Sequence, residues 1–280
     1  MSVFDLRLGD CIPIMDKMPP QSIDLVVTSP PYNVGVDYDE RGQDADDLPW
    51  NDYTEFADNV MSEISQLLKV GGRACIEVGG SGRNFPLSYA WQHGAYEAGL
   101  GLYSEIAIQH RKTNQTAWGS WLKADWVSTV PNFHMLYVFY KTVEKKPGKI
   151  TTITKEEFTE WTRGCWKIAW GVRHHGLHPA AFPLEIPARC LKLFGHLGDE
   201  VLDPMMGTGT TGLACYRLGR HFHGIELSEN YFNIAKKRLT LEENQISLFP
   251  MAEYEGIASP ESTAKLNSLT QTVLEYDEQS

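Results

Sequence analysis

Two stretches of this chain carry residue types and spacings suited to chemistry. The first is Ser29-Pro30-Pro31-Tyr32, which closes the apolar run Ile23-Asp24-Leu25-Val26-Val27-Thr28. An amino group conjugated to an aromatic ring is a poor nucleophile, because its lone pair is delocalised into the ring. Acceptors for both of its protons draw the nitrogen toward a tetrahedral form, and Ser29 Oγ and the Pro30 carbonyl supply two. Pro30 and Pro31 have fixed φ, so the acceptors need little reorganisation. Tyr32 adds a flat face on which a ring can stack. Ser-Pro-Pro taken alone is also an ordinary strand terminator, so it needs a second signal.

That signal is Val201-Leu202-Asp203-Pro204-Met205-Met206-Gly207-Thr208-Gly209-Thr210-Thr211-Gly212. A G-x-G-x-x-G run that follows a strand and opens a helix has the form of the dinucleotide fingerprint. Its glycines permit positive φ and close approach of backbone to ligand, and the helix start presents unpaired N–H groups. Glu226 ends the following strand within Gly224-Ile225-Glu226-Leu227, where a carboxylate can accept both hydroxyls of a ribose. A tight turn without a ligand is the plainer alternative. Only one further strand and helix remain after Gly212, too few to complete a nicotinamide-dinucleotide domain. The sheet must therefore be finished by the N-terminal strands. If the strand at 23–28 neighbours the strand at 200–202, both loops face one crevice at the strand carboxyl ends.

The elements that must position these loops are legible in outline. Phe4–Leu8 alternates apolar and polar residues, and Gly9-Asp10 turns into a short helix ending near Pro19-Pro20. Residues 23–28 form a continuous buried strand. Apolar positions 53, 56, 57, 60, 61, 64, 67 and 68 follow helical spacing. Asp52 with Glu55 is expected to cap that helix and Gly71-Gly72 to stop it. Strands are expected at 73–78 and 102–109, with a helix at 87–97 between them. A helix at 184–194, a strand at 200–202, a helix at 210–218, a strand at 221–226 and a helix at 228–239 complete a parallel α/β alternation. The stretch 111–176 breaks the pattern. It holds six of the eight tryptophans and the apolar strand Phe133–Tyr140, and reads as an inserted, partly irregular module. Residues 246–280 read as an acidic tail.

Composition limits the partners. The 280 residues suffice for a full core, no apolar run approaches a membrane span, and five scattered cysteines without a C-x-x-C pair point to free thiols in a reducing cytoplasm. The net charge of −11 disfavours nucleic acid until its distribution is considered. Residues 37–63 hold ten acids beside the single Arg41, whereas 105–175 hold eleven Lys/Arg against six Asp/Glu. The basic surplus is local, as a phosphate-tracking face requires. Lys112, Lys123, Arg163, Lys167 and Arg173 are the candidate phosphate contacts, against the default of solvated surface. Trp118 and Trp121 suit base stacking, with a local core as the competing role. His174-His175-x-x-His178 lacks a nearby Cys or acid, so no metal site is expected.

With these residues in place, the chain resembles the β-class DNA amino-methyltransferases of restriction-modification type. Their order is catalytic motif first, recognition region second and S-adenosyl-L-methionine loop last. The resemblance spans about residues 5–240 and includes Leu8-Gly9-Asp10-Cys11, Thr28-Ser29-Pro30-Pro31-Tyr32-Asn33, Leu68-Lys69-Val70-Gly71-Gly72, Thr116–Trp121, His178–Glu185 and Gly224-Ile225-Glu226. It implies an α/β, Rossmann-like methyltransferase sheet, circularly permuted, with residues 1–110 and 177–245 catalytic and 111–176 a target-recognition region. It further implies that Ser29, Pro30, Pro31 and Tyr32 are catalytic. Asp10 and Cys11 would meet the cofactor's adenine end and Glu226 with Leu227 its ribose. His178, Pro179 and Phe182 would wall the methionine end, and Asp203, Met205, Gly207, Gly209 and Thr210 would line the rest.

In that family a Ser at the first motif position leans toward cytosine N4 and an Asp toward adenine N6. Met205 stands where an aromatic residue is commoner, and Met135 follows His134 where the family often has Glu. The expected partner is double-stranded DNA, with a homodimer and a cognate restriction endonuclease left open, and the expected location is the cytoplasm, at the nucleoid. The competing readings are an N6-adenine enzyme and, from another class, a nicotinamide-dependent oxidoreductase.

Overall fold

The computed structural model describes residues 3–33, 47–79, 87–110, 118–119, 127–128, 133–144, 150–168 and 183–246. In chain order the strands are β1 (Phe4–Leu8), β2 (Ile23–Thr28), β3 (Leu68–Val78), β4 (Gly101–His110), β5 (Trp118–Gly119), β6 (Val127–Ser128), β7 (Phe133–Tyr140), β8 (Cys165–Ile168), β9 (Glu200–Asp203) and β10 (His221–Glu226). The helices are α1 (Cys11–Met15), α2 (Trp50–Leu67), α3 (Leu87–Glu97), α4 (Lys155–Trp161), α5 (Glu185–Phe194), α6 (Thr210–Arg217) and α7 (Glu229–Ile246). Eight strands form one sheet in the order β1-β10-β9-β2-β3-β7-β4-β8, and β5 with β6 makes a separate two-residue ladder.

Burial on both faces explains the unbroken apolar strands. β2 is buried at all six positions, with Leu25, Val26 and Val27 alternating between the cores on the two sheet faces and Ile23 set off by the irregularity before Leu25. Ile23 and Val26 join Ala57, Val60 and Ile64 of α2 and Ala90 and Trp91 of α3 on one side. Leu25 and Val27 join Ile186, Cys190 and Leu191 of α5 and Leu213 of α6 on the other. The N-terminal strand completes the sheet from the C-terminal side: β1 runs parallel to β10, with Leu8 opposite Glu226. The sheet is thus a permuted Rossmann-like one, as expected.

Several expectations need correction. The sheet is mixed, because β7 runs antiparallel to both β3 and β4. Antiparallel pairing of this kind does not require the helical crossover that parallel pairing demands. Phe133–Tyr140, assigned above to the inserted module, therefore belongs to the main sheet, and β8 extends the same sheet as its edge. Helix α2 begins at Trp50 behind Pro49, with no side-chain cap, so Asp52 lies inside its first turn and caps nothing. Gly71-Gly72 does not stop that helix. Leu68 turns extended directly after it, and Gly71, at φ 76°, takes up a bulge where Ile23 faces Leu68 but Leu25 faces Arg73. Among the described residues, no helix is long and apolar enough to cross a membrane.

The glycine turn is shaped by packing as well as by any ligand. A Cβ on Gly212 would stand 2.8 Å from the buried Phe222 ring and 3.1 Å from Leu239 of α7. Gly212→Ala is therefore expected to destabilise the fold by about 1–3 kcal/mol, the usual range for overpacking. A thermal melt should show a lower Tm than the native chain.

Candidate active site

The crevice begins where β2 and β9 lie side by side. Leu25 faces Val201 and Val26 faces Leu202 in parallel register, so the loops that follow both strands leave from the same edge. A buried acid ties them together. Thr28 Oγ1 donates to Asp203 Oδ1 at 2.7 Å, and Thr211 Oγ1, in the first turn of α6, donates to Oδ2 at 2.7 Å. The Met205 amide also donates to Oδ1, at 3.2 Å. Burial still dominates, and pushes the Asp203 carboxyl up to about 6 despite these three donors.

Past Thr28, nearly every residue of the proline loop is tied down. The Pro31 carbonyl accepts from Tyr53 OH at 2.7 Å, and Trp91 Nε1 in turn donates to that hydroxyl at 3.0 Å. Asn33 holds a positive φ of 54°, and its amide brackets Leu48 by donating to the carbonyl at 2.8 Å while accepting from the N–H. Among the described residues no donor reaches the Pro30 carbonyl. The two hydroxyls of the loop converge on one acid: Ser29 Oγ donates to Glu77 Oε2 at 2.7 Å and Tyr32 OH to the same oxygen at 2.6 Å. The other oxygen, Oε1, pairs with His134 Nδ1. Tyr32 packs edge-on to the His134 ring, with centroids 5.7 Å apart. A Cβ at Gly79 would come within 2.9 Å of the Tyr32 ring, so backbone seats that ring closely.

On the other side of the switch point, the residues expected to hold a nucleoside-like ligand gather at the ends of β9, β10 and β1. Gly207 and Gly209 take φ of 54° and 80°, which supplies the tight turn into α6, where Thr210 is the first helical residue. Glu226 Oε2 accepts from the Gly207 amide and Oε1 from the Ser228 amide, both at 2.8 Å. Each oxygen of Glu226 keeps a lone pair for a further donor. Burial pushes this carboxyl up, against those two amide bonds. Asp10 follows β1, is exposed, and caps α1 by accepting from the Ile12 amide at 3.0 Å. Cys11 beside it is buried, which pushes its thiol up to about 12. Met205 is half-buried and Leu227 exposed. Arg238 of α7 donates to the carbonyl and, at 2.8 Å, to the hydroxyl of Thr208 inside the turn.

The structure thus brings together Ser29, Pro30, Pro31 and Tyr32 with Asp10, Cys11, Asp203, Met205, Gly207, Gly209, Thr210, Glu226 and Leu227 along adjacent strand ends. His178, Pro179, Phe182, Lys112, Trp121, Lys123 and Arg173 lie outside the described residues, as does the side chain of Trp118. Arg163 and Lys167 are exposed at the β8 edge, four strands along the sheet from β2. Trp161 and Trp166 are core instead. Both are buried, with the Arg189 guanidinium over their rings at 4.9 and 5.3 Å. The sequence reading missed Glu77 and His134 as site residues. The one available signal was a glutamate within the apolar strand Ala74-Cys75-Ile76-Glu77-Val78, since an acid on a buried strand requires partners.

Comparison with known proteins agrees with this geometry. A family model described as DNA methylase, covering N6 and N4 enzymes, matches residues 23–237. The Type II methyltransferase M.MjaVI of Methanocaldococcus jannaschii is 34% identical over 169 residues, which is 56% of this chain and 86% of the relative. M.ScaI of Streptomyces caespitosus is 28% identical over 254 residues, 84% of this chain and 80% of the relative. The solved structure of a DNA modification methylase from Thermus thermophilus, complexed with S-adenosyl-L-methionine, aligns with TM-score 0.64 and 31% identity over 85% of this chain and 95% of its own. The cytosine-N4-specific PvuII methyltransferase shares the fold, with TM-score 0.66 at 19% identity over 95% of this chain and 92% of its own.

The buried Asp203 predicts a pH effect on stability. Its folded value of about 6 lies above the unfolded 3.8, so the folded chain binds this proton more tightly. The contribution is full below about pH 4 and is lost as pH rises through 6, a change on the order of 3 kcal/mol. Asp203→Asn should remove that slope, as judged by the difference between native and variant urea-unfolding curves across this range.

Proposed function

Because the chain belongs to the N6/N4 DNA methylase family, we propose that its crevice methylates the exocyclic N4 of a cytosine flipped out of double-stranded DNA, using S-adenosyl-L-methionine. The observation that carries this reading is the Ser29 hydroxyl. Ser29 Oγ lies 3.0 Å from Tyr32 OH and donates to Glu77 Oε2 at 2.7 Å; with its proton on Glu77, the oxygen keeps a lone pair to accept from an amino group. With the Pro30 carbonyl it offers the two acceptors that such a nitrogen needs to become nucleophilic.

The residues at the ends of β9, β10 and β1 fit the proposed donor. Glu226 is already oriented by two backbone amides and retains capacity for ribose hydroxyls. The positive φ of Gly207 and Gly209 turns the backbone tightly into α6, whose first N–H groups open beside the turn. S-adenosyl-L-methionine, when bound, supplies an electrophilic methyl group on a sulfonium sulfur.

The chain's own work is positioning. Thr28, Tyr53 and Asn33 hold the proline loop from three sides before substrate arrives, so little reorganisation opposes the reaction. Aligning an amino nitrogen with a methyl carbon in this way is worth up to about 7–11 kcal/mol of barrier. Extruding the base costs a few kcal/mol, offset by stacking on Tyr32 and by pocket hydrogen bonds. Duplex contacts are assigned to the 111–176 region, including the exposed Arg163 and Lys167. Cytosine is preferred to adenine on the Ser29 lean of the family resemblance.

Incubation of the protein with methyl-labelled cofactor and unmethylated duplex DNA, followed by mass spectrometry of nucleosides, should return N4-methylcytosine. N6-methyladenine would move the assignment to adenine, and unlabelled DNA would overturn it. Ser29→Ala should lower kcat by about 100-fold or more, the scale of one lost preorganised hydrogen bond, with cofactor Kd unchanged. Glu226→Ala should show the opposite split, weakening cofactor binding by about 10- to 100-fold, as expected for charge-assisted bonds.

A further inference from the structure

Glu77 is 1% exposed and sits next to last on β3. Its side chain points to the sheet face that Cys75 shares with Cys190 and Leu191 of α5. A carboxylate taken this far from water either keeps strong partners or gives up its charge. Here three groups reach it. Ser29 and Tyr32 donate from the loop after β2, and His134 pairs with it from β7. Leu136 stands directly opposite Glu77 in the β3–β7 register. His134 is two residues from Leu136 and so lies on the same sheet face, a diagonal neighbour within reach of a long side chain. From α5, the Cys190 thiol is pushed well up, by burial first and by Cys75 and Glu77 after that, and so adds no charge.

The direction of the Ser29 proton depends on the charge of Glu77. An ionised carboxylate can only accept, so both hydroxyl protons turn to it. A protonated one carries its own donor and frees a hydroxyl proton to turn elsewhere. For Ser29 that proton would then oppose the N–H of the target amino group.

We propose that His134 is a positioning residue: from β7 it holds Glu77 as a pure acceptor, and thereby keeps Ser29 an acceptor toward the base. This inference rests on the methyl-transfer reading above and extends it to a residue that the motif comparison left without a role. Burial alone pushes the Glu77 carboxyl up; the hydrogen bond and charge of His134, then the hydroxyls of Tyr32 and Ser29, bring it below the usual carboxylate range. Loss of His134 removes the largest of the lowering influences, so protonation of Glu77 should move into the working pH range.

The test is the pH dependence of kcat for DNA methylation by the full chain. Native protein should show no acid limb from Glu77 above the usual carboxylate range. His134→Leu should acquire one displaced upward by at least about one pH unit, which is about tenfold in rate on that limb. Its kcat should approach the native value at high pH, and its cofactor Kd should stay unchanged. His134→Gln, which keeps a neutral N–H donor at this position, should lie between the two and guards against a Leu variant that fails to fold. Profiles of either folded variant that overlay the native curve, or fall by the same factor at every pH, would overturn the role. A native protein that labels no DNA would instead sink the methyl-transfer reading, and this inference with it.

Discussion

The pairing of β2 with β9, closed off by Asp203, is the constraint on which the rest of this structure depends. Two parallel strands far apart in the chain are joined by only two register pairs. The carboxylate of Asp203 then links the end of one strand, the turn after the other and the first turn of α6. An acid there is costly, and burial keeps its affinity for a proton high. What that cost secures is a fixed relation between the loop that would present the amino acceptors and the loop that would hold a methyl donor. In-line transfer tolerates little misplacement, so a rigid hydrogen-bonded junction at this point has more functional weight than its own net stability.

The permuted order of the chain follows from the same sheet logic. Parallel strands bond without regard to which comes first in sequence, so β1 can complete the C-terminal edge beside β10. The proline loop after β2 and the glycine turn after β9 then meet at the switch point although they lie far apart in the chain. The antiparallel β7, inserted between β3 and β4, has a second consequence. It carries His134 into the site from a strand that no motif identifies, and gives the buried Glu77 a partner across the sheet.

The elements themselves were largely legible. β2, β7, β10 and α3 fall where periodicity and β-branched or apolar runs predict them, because those patterns are local. The misplaced features were equally instructive. Asp52 and Glu55 have the right spacing for a capping box, yet Pro49 starts the helix earlier. Gly71-Gly72 has the composition of a helix stop, yet serves a strand bulge. In each case a local signal was compatible with two uses, and neighbouring strands or helices selected one.

By itself the sequence determined the chemistry available: a stiff loop with two acceptors, a glycine turn into a helix, a carboxylate at a strand end, and an order of motifs that only a sheet completed by its N-terminal strands can reconcile. Those properties reside in a few consecutive residues and survive translation into any fold. The tertiary structure alone decided which groups meet. Ser29 and Glu77 are 48 residues apart and Glu77 and His134 are 57 apart; an acid on an apolar strand signals that partners are needed, but nothing local says which. Their convergence is set by strand register, and register is chosen by the burial of two apolar faces at once rather than by the polar groups it brings together.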